Sequence, residues 1–242
     1  QKLKKIDVSR FDMSQVGTTA AMFYTTGIVE LDLSAWTTPK LTSTVSMFED
    51  STWMTKLNIS GLNTEKVINM RSMFKGLSRL ETLDVSTLKT GEVVNMDLMF
   101  NMFAGVSSLQ QLDLSNFNTS NVNFMDGMFY ALSSVTTLDL SHFDTSNVRT
   151  MADMFGRVHR LNTLMLTNFN TSNVVDFTRM FSGVEKLTTL DISNFDLSHA
   201  TKVSSMFSFG ENLTELNLGV RGVPGGVIAN QGVFTYTPML KV

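Results

Sequence analysis

Leu112–Phe129 reads LDLSNFNTSNVNFMDGMF, and 26 residues on, Leu138–Phe155 reads LDLSHFDTSNVRTMADMF. Working outward from this pair, the central apolar residue of each such segment falls at Ile6, Leu31, Leu57, Leu83, Leu112, Leu138, Leu164, Leu190 and Leu216. The steps between these anchors are 25, 26, 26, 29, 26, 26, 26 and 26 residues. A Met-Phe pair begins 16 residues after each of the first eight, at Met22, Met47, Met73, Met99, Met128, Met154, Met180 and Met206. Self-similarity at a period of this length is the signature of stacked repeats. The step of 29 has a local source, because Met99-Phe100-Asn101-Met102-Phe103 holds the pair twice, three residues apart. The first copy keeps register with the preceding anchor and the second with the following one.

Each repeat is read in columns. Apolar residues stand three before the anchor (Leu80, Leu109, Val135, Leu161, Leu187) and two after it (Val85, Leu114, Leu140, Leu166, Ile192). The alternation around the anchor predicts a short strand. Five after the anchor lies a large apolar residue, such as Phe117, Phe143, Phe169 and Phe195, which predicts a stacked column. A polar turn follows at Thr119–Asn121, Thr145–Asn147 and Thr171–Asn173, residues whose side chains bond nearby backbone. Val122, Met125, Met128 and Phe129 then recur at steps of three, three and one, which predict a short helical turn with one buried face. Gly76, Gly105 or Gly183 turns the chain back.

These columns predict an α/β leucine-rich-repeat solenoid of about eight 26-residue coils, each a short β-strand plus a short α or 3-10 helix. The array is expected over residues 1–219, with repeats starting near 3, 28, 54, 80, 109, 135, 161, 187 and 213. Residues 220–242, richer in Gly, Pro and β-formers such as Val227, Ile228 and Val233, are expected to form a C-terminal cap. The start shows no comparable cover, so the native protein is expected to extend further N-terminally. The 17 methionines read as core.

Composition excludes several classes. The 242 residues carry a formal net charge of −3 and no basic run, which argues against a nucleic-acid partner. No stretch approaches the roughly 20 apolar residues that cross a bilayer, which argues against membrane insertion. Cysteine is absent, removing disulfides, thiolate chemistry and Cys-based zinc sites.

The two quoted segments resemble the BspA-like leucine-rich-repeat surface proteins, in the subgroup reading LDLSNFxTSNVxxMxxMF found in mycoplasmas and Gram-positive bacteria. The resemblance covers residues 3 to 219 and is most specific from 109 to 207; near the start Thr19 and Thr44 replace the first methionine. Where family members often carry Cys, this chain has Leu77, Val106, Leu132, Val158 and Val184. The resemblance implies a secreted bacterial cell-surface protein acting in adhesion, with no shared catalytic residues.

In such a stack the outward strand residues form columns. One holds Asp84, Asp113, Asp139, Met165 and Asp191; another, one residue before the anchor, holds Gln111, Thr137 and Thr163. Carboxylates about 5 Å apart repel, and hydroxyls with water, a bound cation, or a basic or glycan ligand would each relieve them. Met165 is a contact point or drift, and Trp53 is an exposed aromatic of the kind that anchors partners. His142, His159 and His199 fall in three different registers and assemble no catalytic set. The expectation is therefore a non-enzymatic recognition or adhesion module that needs no cofactor or metal. Its partner would be an extracellular protein or glycan, with oligomeric state left open. The alternative is a passive spacer that projects another domain from the cell surface.

Overall fold

A computed structural model describes residues 3–101, 112–218, 222 and 231–240. Among them are six strands of three or four residues: β1 (Glu30–Asp32), β2 (Lys56–Asn58), β3 (Thr137–Asp139), β4 (Thr163–Met165), β5 (Thr189–Ile192) and β6 (Glu215–Leu218). They pair in parallel as β1-β2, β3-β4 and β5-β6. Anchor lies on anchor throughout, as in Leu31↔Leu57, Leu138↔Leu164 and Leu190↔Leu216. Parallel strands cannot be joined by a tight hairpin, so each pair needs a crossover, and here the rest of the coil supplies it. A second ladder of single parallel bridges runs Thr18↔Ser43↔Asn69↔Asn95↔Phe124↔Thr150↔Asp176↔Lys202, one per coil. Successive repeats therefore lie on one another in register along two ladders.

The helix expected in every coil is not there: the described residues contain no helix. The Met-Phe segment is a chain of overlapping turns. In the coil anchored by Leu31, Met47, Glu49 and Ser51 donate N–H to the carbonyls three residues back, those of Thr44, Ser46 and Phe48. The intervening Ser46, Phe48 and Asp50 instead donate to Arg71, Met73 and Lys75 of the next coil at 2.8–3.1 Å. A helix needs every interior N–H for its own carbonyls, and here alternate ones are given to a neighbour. The dihedrals agree. Positions 15 and 19 after the anchor are left-handed, as at Ser46 (φ 54) and Asp50 (φ 57), Asp153 (φ 58) and Arg157 (φ 59). Ser46 and Asp50 each occupy the third place of a four-residue turn, where a positive φ defines type II. Steps of three, three and one fit these three-residue turns as well as a helix, which is why the apolar pattern misled. The more direct signal was the glycine that recurs in the two left-handed columns: Gly76, Gly127, Gly183 and Gly232 all have positive φ.

The apolar columns close the interior. Val122, Met125, Met128 and Phe129 are fully buried, as are Val148, Met151, Met154 and Phe155. The longest aromatic stack is built by the Phe of the eight Met-Phe pairs and by Phe234, which follows Val233. Phe23, Phe48, Phe74, Phe100, Phe129, Phe155, Phe181, Phe207 and Phe234 stack in order, with centroids 5.4–5.9 Å apart and planes within 12° of parallel. Such spacing is the offset-stacked arrangement that ring quadrupoles favour. The column five after the anchor stacks only locally, as at Phe169–Phe195 (6.0 Å). Its first member, Phe11, is 53% exposed. Where Thr19 and Thr44 replace methionine they are buried, and each hydroxyl donates to the sulfur of the next coil's Met47 or Met73 at 3.2 and 3.3 Å.

A buried threonine ladder ties the coils where the sequence showed only a polar turn. Thr64, Thr90, Thr145 and Thr171 each donate a hydroxyl hydrogen to a carbonyl of the next coil and accept an N–H from the same residue, at 2.7–3.0 Å. Asn147 and Asn173 reach back, donating to the carbonyls of Ser120 and Ser146 at 2.7 Å. These buried threonines are thus paired between coils, whereas the buried Ser134 hydroxyl has no hydrogen-bond partner among the described residues. The duplicated pair at Met102-Phe103, Gly105 and the repeat start near 109 lie outside the described residues, as do Val227 and Ile228 of the expected cap. Residues 231–240 continue the turn ladder: Ser205, Phe207 and Phe209 donate to Gln231, Val233 and Thr235.

Candidate functional site

The strand face carries the residues singled out by sequence. Asp84, Asp113, Asp139 and Asp191 are exposed, and each Oδ1 accepts the N–H of the serine two residues on at 2.9 Å. Asp7, Asp32 and Asn58 do the same for Ser9, Ser34 and Ser60. The serine backbone and hydroxyl hydrogen bonds hold these aspartates below the ordinary carboxylate value. Where the column carries Asp or Asn it forms a local turn built by the Asx-x-Ser spacing, and Met165 interrupts the series. Thr137 and Thr163 are exposed at the starts of β3 and β4, and Met165, opposite Asp139 in the ladder, is half-buried. Gln111 lies outside the described residues. Trp53 is half-buried, with the Arg79 guanidinium 3.8 Å over its ring.

Of the histidines, His142 serves the stack. Its Nε2 lies 2.9 Å from the Leu114 carbonyl of the preceding coil. Asn116 and Asn194 stand at the same place in their repeats and donate to the equivalent carbonyls of Val85 and Leu166 at 3.0 Å. A shallow depression of about 370 Å³ lies between Asp113, Asp139 and His142, and another of about 410 Å³ lies beside Asp84.

The turn side holds a different set of residues, which the sequence reading did not assemble. A groove of about 330 Å³ is lined by Tyr130, Arg157, His159, Arg179, Glu185 and Phe209, among others. Arg179 forms a two-pronged contact with Asp153, Nε to Oδ1 at 2.8 Å and Nη2 to Oδ2 at 2.6 Å. This planar pairing fixes both side chains and raises the arginine pKa further. His159 Nδ1 lies 2.8 Å from Glu185 Oε1 one coil on. The Arg157 guanidinium sits 5.8 Å from the Tyr130 ring centroid. Small residues make the hollow: at Gly156 an added Cβ would come within 2.9 Å of the Tyr130 ring, so that ring lies over the glycine. The column 18 after the anchor reads Tyr24, Glu49, Lys75, Asn101, Tyr130, Gly156, Ser182 and Ser208. Its lack of uniformity was the available signal.

Beside this groove lie two partly buried carboxylates on adjacent coils. Asp97 Oδ1 accepts the Asp126 N–H at 3.0 Å, while Asp126 accepts Thr150 Oγ1 at 2.7 Å and the Ala152 N–H at 2.8 Å. Burial raises the pKa of both, and the Asp126 charge raises that of Asp97 further.

The architecture defines the class: a repeat protein whose coils stack through two parallel ladders and a continuous phenylalanine column. The chain belongs to the family described as "Mycoplasma protein of unknown function, DUF285", whose matches span residues 1–102, 51–137 and 132–219. No curated protein matches it. Among solved structures it is similar to the functional domain of InlJ from Listeria monocytogenes, described as including a cysteine ladder. The identity is 16% and the TM-score 0.27, over 90% of this chain and 46% of that one. The chain thus spans about half the length of that structure, and similarity at this level does not establish a common fold.

Proposed function

We propose that this chain is a non-enzymatic recognition or adhesion module displayed on a bacterial cell surface, binding an extracellular protein or glycan. The observation that carries the reading is the contrast between interior and surface. Inside, Phe, Met and Thr recur coil after coil because each must fit its own copy above and below. Outside, the turn-side columns change from coil to coil and gather Tyr130, Arg157, Arg179, His159 and Glu185 into one groove. A stack that supports changing side chains on a fixed frame is suited to contact, since stacked repeats form extended surfaces. Membership of a mycoplasma family and the BspA-like segments support a surface location. The test is binding of the purified chain to a panel of host matrix proteins and immobilised glycans. Saturable binding to at least one, lost when turn-side residues are replaced, is the expected result; background signal across the panel overturns the reading.

The passive-spacer reading draws on the strand face, where the aspartates are engaged by serines two residues away. It predicts that replacing the turn-side residues changes no phenotype while removing whole coils does.

A further inference from the structure

Tyr130 and Phe209 close the two ends of the turn-side groove and stand three coils apart in the stack. At ~4.8 Å per coil they are about 14 Å apart along the stacking axis. Phe209 is 49% exposed and held by stacking on Tyr236 at 5.2 Å. Tyr130 is held by Gly156 beneath it and Arg157 beside it. Gly156 lies beneath Tyr130, and between the two rings the groove is lined by Ser182 and Gly183 with charged side chains along its sides. Arg179 is satisfied by Asp153 and His159 faces Glu185; with the histidine neutral, Arg157 and Arg179 stand against Asp153, Glu185 and Glu211, a formal excess of one negative charge. A phosphate or an acidic peptide would need an excess of positive charge, which this groove does not hold.

Resting on the recognition reading above, we infer that the groove is a subsite for a short neutral oligosaccharide. The pairing of features is what such a chain requires. Pyranose rings present C–H faces that pack on aromatic rings, and their hydroxyls both donate and accept, matching side chains already fixed as donor and acceptor pairs. A linear sugar would lie along the stacking axis, its end rings against Tyr130 and Phe209 and its middle hydroxyls over Arg179, Asp153 and Ser182. The volume of about 330 Å³ sits at the small end of the ~300–1,000 Å³ seen for small-ligand pockets. A ligand held so openly binds weakly one copy at a time, and gains strength where many copies are displayed.

Isothermal titration of the intact chain with cellotriose, triacetylchitotriose and maltotriose tests this. At least one is expected to bind saturably, with the β-linked pair ahead of the α-linked sugar because its rings keep flatter C–H faces. Tyr130→Ala and Ser182→Arg, the second filling the floor from a half-buried position, are each expected to weaken binding at least tenfold. Ile68→Ser, an exposed site on the other ladder, leaves it unchanged. Cooperative melting of every variant guards against unfolding as the cause. No saturable binding by any of the three sugars, binding confined to sulfated or carboxylated analogues, or binding that survives both groove variants overturns the inference. Retained binding to a host protein in the panel assay, with the groove silent toward sugars, sinks this inference alone and leaves the recognition reading standing.

Discussion

The strand side and the turn side of each coil are made from the same ingredient, backbone hydrogen bonds to the neighbouring coils, yet they leave their side chains in different positions. On the strand side the anchors pair Leu on Leu, and each Asp-x-Ser closes a turn on itself, so the same chemistry repeats down the face. On the turn side two left-handed residues per coil bend the chain, and the residues between and after them differ from coil to coil. The lesson is that uniform geometry with varied side chains comes from the half of the coil whose backbone, not whose sequence pattern, does the stacking.

Phe129→Ala removes one ring from the middle of the stack, between Phe100 and Phe155. It should cost ~3–5 kcal/mol in a denaturant titration, because the neighbouring rings are fixed by their own coils and close the cavity poorly. Thr145→Val keeps the shape but strands the N–H and C=O of Asn170, which the hydroxyl served at 2.8 and 2.9 Å. A loss of about 1–3 kcal/mol is expected, measured the same way. A loss below the scatter of the titration would mean that water replaces the ladder.

Ala131→Gly distinguishes turn from helix by sign. Ala131 has φ 53, a conformation that costs an L-residue ~1–2 kcal/mol and glycine nothing. After the extra chain entropy of glycine, a gain of about 0.5–1 kcal/mol is expected. In a helix the same change would lose ~1 kcal/mol. The smallest effect is at Asp97. Its folded pKa is raised by burial and by Asp126, so the folded state binds the proton more tightly than the unfolded chain. Stability then falls as pH rises from the ordinary value of 3.8 through the raised one, and the penalty is complete above it. Asp97→Asn keeps an oxygen for the Asp126 N–H and should raise the melting temperature at pH 7 while leaving it unchanged at pH 3. The strand-face aspartates, with depressed pKa values, contribute in the opposite sense: their stabilisation is lost as pH falls through those lowered values.

Much of the interior was legible, because an apolar residue that recurs at one position must face the shared core. Val122, Met125, Met128 and Phe129 were read as buried and are. The helix was not legible as false, since steps of three suit both a helix and a run of turns, and the deciding alternation of hydrogen bonds leaves no apolar trace. The threonine ladder read as a turn because its partner carbonyls lie about 25 residues away in the chain, at Asn63 for Thr38 and Asn170 for Thr145. The groove was harder still. Tyr130, Arg157 and Glu185 sit in different columns of three different repeats, and only the curl of left-handed turns brings them to one hollow.

Far-UV circular dichroism of the intact chain separates the two backbones, since a turn ladder and a helix in every coil give different spectra. The expected spectrum is one dominated by strands and turns, without the signal of a helix in every coil. A clear helical signature from the folded chain would contradict it.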